Sequence, residues 1–232
     1  MTISQLQFQT ANAGSVSSLS VTLPSATSSG SCIVADLDYF QGGSASLFSS
    51  IADNASNTYT SAFAEFGPNN GQFSAIRTLE FYKPNANTNA ALQVTCTLTG
   101  SSAAVTVSVR EVAGLDHTTP LDQVNTLFDA ALTTSKSIST SSPTTVANEF
   151  VIAKVGENTT ATTVTSAGAG YTSDLNNASY DSSHKIISVT GVQTGSWTYG
   201  TAVFVNMSIT TWKAAAGGVT LHPTTLALMG VG

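Results

Sequence analysis

The chain has 232 residues, a formal net charge of −6, and charged side chains at only 9% of its positions. A soluble domain usually carries about a quarter, so here Ser, Thr, Asn and Gly take over the wetting of the surface. The seven Lys and Arg are spread singly, which leaves no basic stripe for phosphates and excludes nucleic acid as an expected partner. No stretch approaches the ~20 apolar residues that span a bilayer, so no membrane insertion is expected.

In chain order, MTISQLQFQTANAGS places no basic residue ahead of an apolar run, and Ile3, Leu6 and Phe8 read as a first strand, so no secretory signal is expected. Val16 to Leu23 is a second strand, ended by Pro24, which has no N–H to give a ladder. Ser31 to Phe40 follows, with Ile33, Ala35, Leu37 and Tyr39 on one face and Val34, Asp36 and Asp38 on the other. Asp53 to Asn57 is a turn, because Asp and Asn bond their own backbone, and Tyr59, Phe63 and Phe66 anchor the strand after it. Ala75 to Lys83 is a strand stopped by Pro84.

Ala91 to Leu115 is the most regular stretch. Leu92, Val94, Cys96 and Leu98 alternate with polar residues, Gly100 to Ser102 turn the chain, and Val105, Val107 and Val109 resume the alternation. The pattern predicts a long β-hairpin. Pro120 to Thr134 puts Val124, Leu127, Phe128, Ala131 and Leu132 at helical spacing behind a proline, which predicts one short helix. Phe150 to Val155, Thr160 to Thr165, Lys185 to Thr190 and Thr201 to Trp212 complete the strands.

Regular short strands with Gly and Asn turns imply an all-β, antiparallel β-sandwich of jelly-roll or immunoglobulin-like type. It forms one domain over 1–213. Residues 214–232 read as a flexible linker and an apolar C-terminal arm, KAAAGG followed by VTLHPTTLALMGVG. Such an arm can add as a strand to a neighbouring subunit, with Val219, Leu221, Leu226, Leu228 and Met229 as its contacts.

Motifs for chemistry are sparse. His117, His184 and His222 are far apart and begin no ligand cluster, so no metal site and no cofactor are expected. No GxSxG elbow is present, and no catalytic residue is assigned. Asp36 and Asp38 share a strand face and are candidates for calcium or glycan contact, although a solvated strand face is the plainer reading. Trp197 and Tyr199 would stack on sugar rings if exposed together, although core packing is the commoner use of such aromatics. Glu111 interrupts the valine alternation and is expected to point inward, toward Arg77, Arg110 or a backbone amide. Cys32 and Cys96 read as two buried thiols packed as small hydrophobes, the alternative being a single inter-strand disulfide.

The order of several motifs resembles a module that recurs in bacterial surface proteins and in tailed-phage virion proteins. These are the Gly-led strand Gly30 to Tyr39, the turn built from Asp53, Asn57 and Tyr59, and the aromatic strand before an Asn-rich loop, Leu79 to Asn89. A Thr-alternating strand, a Val-rich strand ending in Glu111, Gly114 and Leu115, and a last strand ending in Trp212 and Lys213 follow. The resemblance implies a displayed β-sandwich without enzymatic activity. Since the bacterial members begin with a signal peptide, it favours a virion surface component such as a capsid decoration, cement or head-fibre protein. Its expected partners are its own copies, as a homo-oligomer, or other virion coat proteins. The alternatives are a module binding cell-surface glycans and an extracellular filament subunit.

Overall fold

A computed structural model describes residues 2–41, 45–67, 75–157, 164–176 and 180–216. Every regular element among them is a strand: β1 (Ser4–Ala13), β2 (Val16–Thr22), β3 (Cys32–Gln41), β4 (Phe48–Asp53), β5 (Thr60–Phe66), β6 (Ala75–Lys83) and β7 (Gln93–Ser102), then β8 (Val105–Ala113), β9 (Leu121–Ser139), β10 (Glu149–Glu157), β11 (Thr172–Asn176), β12 (Tyr180–Ile187) and β13 (Thr194–Lys213). They form three antiparallel sheets, β2-β7-β4, β1-β8-β3-β6-β5 and β11-β12-β10-β13-β9.

The β1–β5 sheet is the middle layer, and its two faces bury different things. Odd residues of β3 and β8 (Ile33, Ala35, Leu37, Val105, Val107, Val109) pack on Val94, Cys96 and Leu98 of β7 in one apolar core. Each fully buried valine contributes about 1.5 to 3 kcal/mol. The even residues face the β9–β13 sheet. At one end of that interface Cys32, Val34, Val112, Phe150, Ile152 and Trp212 form a second apolar core; beyond it the interface turns polar. A third core lies on the far side of the β9–β13 sheet, where Val151, Ala153, Val155 and Met207 are covered by Trp197, Ile138 and Val164.

The expected hairpin over 91–115 is not one. Its two arms are strands with nearly the expected limits, but β7 pairs with β2 and β4 while β8 pairs with β1 and β3. The arms face each other across a core instead of sharing a ladder. Alternation fixes which side of a strand is buried, not which strand lies beside it. The chain turns at Ala103 and Ala104, after Ser102 Oγ has bonded the carbonyl of Phe40 (2.6 Å) and that of Ala104 (2.8 Å).

The expected helix at 120–134 is also overturned. This segment lies in β9, paired with β13 over nearly its whole length, from Leu121 against Trp212 to Ser139 against Thr194. Helical spacing of five residues was outweighed by a 20-residue partner strand and by Val124, Thr126 and Thr133, which suit a pleated surface. The pairing breaks register between Thr198 and Val203. Beyond that break Trp197 reaches back over β10, so that a Cβ on Gly195 would sit 2.9 Å from Ala153 Cβ.

The strand expected at 160–165 lies largely outside the described residues, and the one expected at 185–190 is centred earlier, as β12. The arm residues Val219, Leu221, Leu226, Leu228 and Met229 lie outside the described residues too. Pairing with the body continues past β13: Ala214 bridges Leu115, and Ala215 N donates to Gly114 O (2.8 Å).

Candidate functional site

The chain carries twenty charged residues, and ten of them, three bases and seven acids, are buried. Five of them, Asp36, Asp38, Glu80, Arg110 and Lys154, lie where the middle sheet meets the β9–β13 sheet. On β3, Asp36 is 1% and Asp38 5% exposed. The solvated strand face expected for this pair is therefore a correction: a third layer covers it.

Lys154 stands opposite on β10. Its Nζ is 3.0 Å from Asp36 Oδ1 and 3.3 Å from Asp38 Oδ2. Arg110 on β8 completes the group, with Nη2 3.3 Å from Asp36 Oδ2 and 2.7 Å from Ser182 Oγ on β12. Its other side extends the network outward: Nη1 is 3.9 Å from Asp174 Oδ2, and Asp174 receives Gln5 Nε2 (2.7 Å) and faces His184 Nδ1 (2.9 Å). Thr78 Oγ1 donates to Asp38 Oδ1 (2.7 Å). Glu80, fully buried on β6, is the direct cross-strand partner of Asp36.

The proton inventory follows from this geometry. Burial pushes the Asp36 carboxyl up, but Lys154 and Arg110 outweigh it and hold the pKa below the usual carboxylate range. Asp38 is raised, by burial and by the Asp36 charge, against the pull of Lys154. Glu80 is raised well above its ordinary value, by burial first and then by Asp36, to which it hydrogen-bonds. Two carboxyls in that contact need a shared proton, and Glu80 keeps it. Burial opposes charge on Lys154 as well, yet the surrounding carboxylates raise its pKa. Asp36 and Lys154 thus rest as an ion pair beside a neutral Glu80.

The aromatic candidates are also inside. Trp197 is 1% and Tyr199 6% exposed, so neither offers a ring face for stacking. Trp197 Nε1 donates to Asp181 Oδ2 (2.9 Å), and Asp181 also receives Ser183 Oγ (2.7 Å), Ser173 Oγ (3.1 Å) and Asn176 Nδ2 (3.1 Å). Beside this ribbon an open cleft of about 780 Å³ is lined by hydroxyls, among them Ser137, Thr165, Ser196 and Thr198. Lys136 on its wall is 2.5 Å from Asp129.

Other candidate residues serve the fold. Asp53 Oδ1 accepts the N–H of Ala55 (2.9 Å) and of Asn57 (3.0 Å), while Oδ2 accepts Asn57 Nδ2 (2.8 Å) and Tyr59 Oη (2.8 Å). The Asp-x-x-x-Asn-x-Tyr motif is therefore a self-bonded turn. Glu111 does point inward, and its partners are the backbone N–H of Ser28 (2.6 Å) and Gln7 Nε2 (2.5 Å). Cys32 and Cys96 are free, buried thiols in two different cores. Among the described residues no group of three or more His, Cys, Asp or Glu is placed to hold a metal ion.

Glu80, Arg110 and Lys154 were missed as a group. The signal was clear for one of them: Lys154 interrupts the apolar run FVIAKVG, whereas Glu80 and Arg110 share their strands with other charged residues. A lysine in such a run is buried only with partners.

These features define a layered, antiparallel all-β protein of sandwich type with an ionic layer between two sheets. Comparison with family models, with curated proteins and with solved structures finds no match.

Proposed function

We propose that the protein is a non-enzymatic structural component of an assembled surface, of the kind found as decoration, cement or head fibre on a virion, and that it acts by packing against its own copies or other coat proteins. The observation that carries this reading is the placement of charge. Half of an already small set of ionic groups is buried, five of them between two sheets, which leaves an exterior of Ser, Thr, Asn and Gly with no more than four bases and six acids. Such a surface binds by fit and hydrogen bonding rather than by ionic attraction. Exposed apolar side chains add to it: Val146, Val189 and Val192 flank the junction where Thr144 and Gly191 exchange hydrogen bonds.

The test removes residues 219–232, which carry the apolar contacts Leu221, Leu226 and Leu228. The full chain is expected to form a defined oligomer and the shortened chain a folded monomer, by light scattering and circular dichroism. A shortened chain that assembles as before overturns the role given to this arm.

A further inference from the structure

Lys154, Asp36 and Glu80 meet three requirements of one reaction: an amine, a carboxyl within reach, and an acid that can pass protons between them. All three side chains are buried, and they come from β10, β3 and β6, so two sheets converge on one point. We propose that Lys154 and Asp36 condense into a side-chain amide that ties β3 to β10 covalently, with Glu80 as the acid–base catalyst. This inference does not rest on the proposed function.

The step balances without any other reactant. In a dry layer, transfer of a proton from the Lys154 ammonium to the Asp36 carboxylate cancels two charges whose burial is costly. The neutral amine then attacks Cγ of Asp36, forming the C–N bond. Glu80 gives its proton to the hydroxyl that leaves and takes one from the nitrogen, so it ends as it began. One ammonium and one carboxylate become one amide and one water; nothing is oxidised or reduced.

The surroundings favour this course. Nζ, 3.0 Å from Asp36 Oδ1, is held beside the carboxyl whose carbon it attacks, and proximity fixed in this way replaces an encounter in solution. Arg110 Nη2, 3.3 Å from Asp36 Oδ2, is placed to stabilise the oxygen that becomes negative when nitrogen adds. Glu80 carries the proton it needs, because burial and the adjacent Asp36 raise its pKa. The ion pair is the resting form, so reaction draws on a minor neutral population, but each molecule needs to react only once.

Asp36 is the acceptor rather than Asp38. Asp38 is farther from Nζ, and its cross-strand partner is Thr78, which donates to it. Of the two, only Asp36 has the protonated Glu80 as its direct cross-strand partner.

The experiment is the intact mass of the purified full chain, denatured before measurement, with tandem spectra of a protease digest. The expected result is a mass one water below that of the sequence and a branched peptide joining the Lys154 segment to the Asp36 segment. Lys154→Arg and Glu80→Gln are expected to restore the full sequence mass, and Asp38→Asn to keep the loss of water. Wild-type protein that is folded by circular dichroism yet has its full sequence mass overturns the proposal. So does a water loss that survives Lys154→Arg, or a branch that maps to Asp38. The wild-type mass and the branched peptide decide the matter even where a variant fails to fold.

Discussion

Glu149, the first residue of β10, is buried without exposed surface, beside Asp122 and Thr211. Burial is the main reason its carboxyl is raised from 4.5 to about 7; the nearby Thr211 hydroxyl pulls it down, and Asp122 pushes it up again. Asp122 keeps its charge: against the push of burial, Thr145 donates to it from N (2.7 Å) and from Oγ1 (2.5 Å) and lowers its pKa. A carboxyl whose pKa is higher folded than unfolded favours folding below the unfolded value. That contribution is lost as pH rises through the folded one, here between 4.5 and about 7. At 1.36 kcal/mol per pH unit the interval corresponds to about 3 kcal/mol. Glu149→Gln keeps the shape and removes the titration. In urea denaturation it is expected to match the parent near pH 5 and to exceed it by up to about 3 kcal/mol near pH 8. A difference between variant and parent that is the same at both pH values would refute this role of Glu149.

Three further outcomes are expected. Asp53→Ala removes the acceptor of four hydrogen bonds in the β4–β5 turn and should cost about 3 kcal/mol in the same assay, since the site is half-buried and each bond is worth about 1 kcal/mol. A loss below about 1 kcal/mol would show that water replaces Asp53 there. Gly114→Ala should leave little folded protein, because φ is +79° and the new Cβ would lie 2.5 Å from the carbonyl oxygen of Thr2; soluble variant with parental stability would contradict this packing. Burial raises the Cys32 and Cys96 thiols to about 12, so a thiol-specific reagent should label neither until denaturant is added, and rapid labelling of the native protein would place one of them outside the core.

Much of the fold could be read from alternation and breakers. The limits of β6 follow from AIRTLEFYK and the proline after it, and β3 and β10 from their apolar runs. The neighbours of each strand could not be read. β7 and β8 are joined by two residues yet lie in different sheets, because each finds a better partner elsewhere in the chain. The ionic layer was hidden for a related reason. Asp36 and Lys154 sit far apart in sequence, and an aspartate on the polar side of an alternating strand reads as solvated until a further layer covers that side. The near-continuous burial of β3, β8 and β10 marks such double coverage. In the sequence it shows only as hydroxyls and small residues where a one-sided sheet would carry Lys and Glu.

If a surface stripped of charge serves assembly, that assembly must withstand salt. The most direct test is the solution mass of the full chain by light scattering, at low salt and again at about 1 M salt, where charges more than about 3 Å apart are screened. One defined oligomer of the same mass is expected in both. A monomer at every concentration, or an oligomer that falls apart as salt is added, would contradict it.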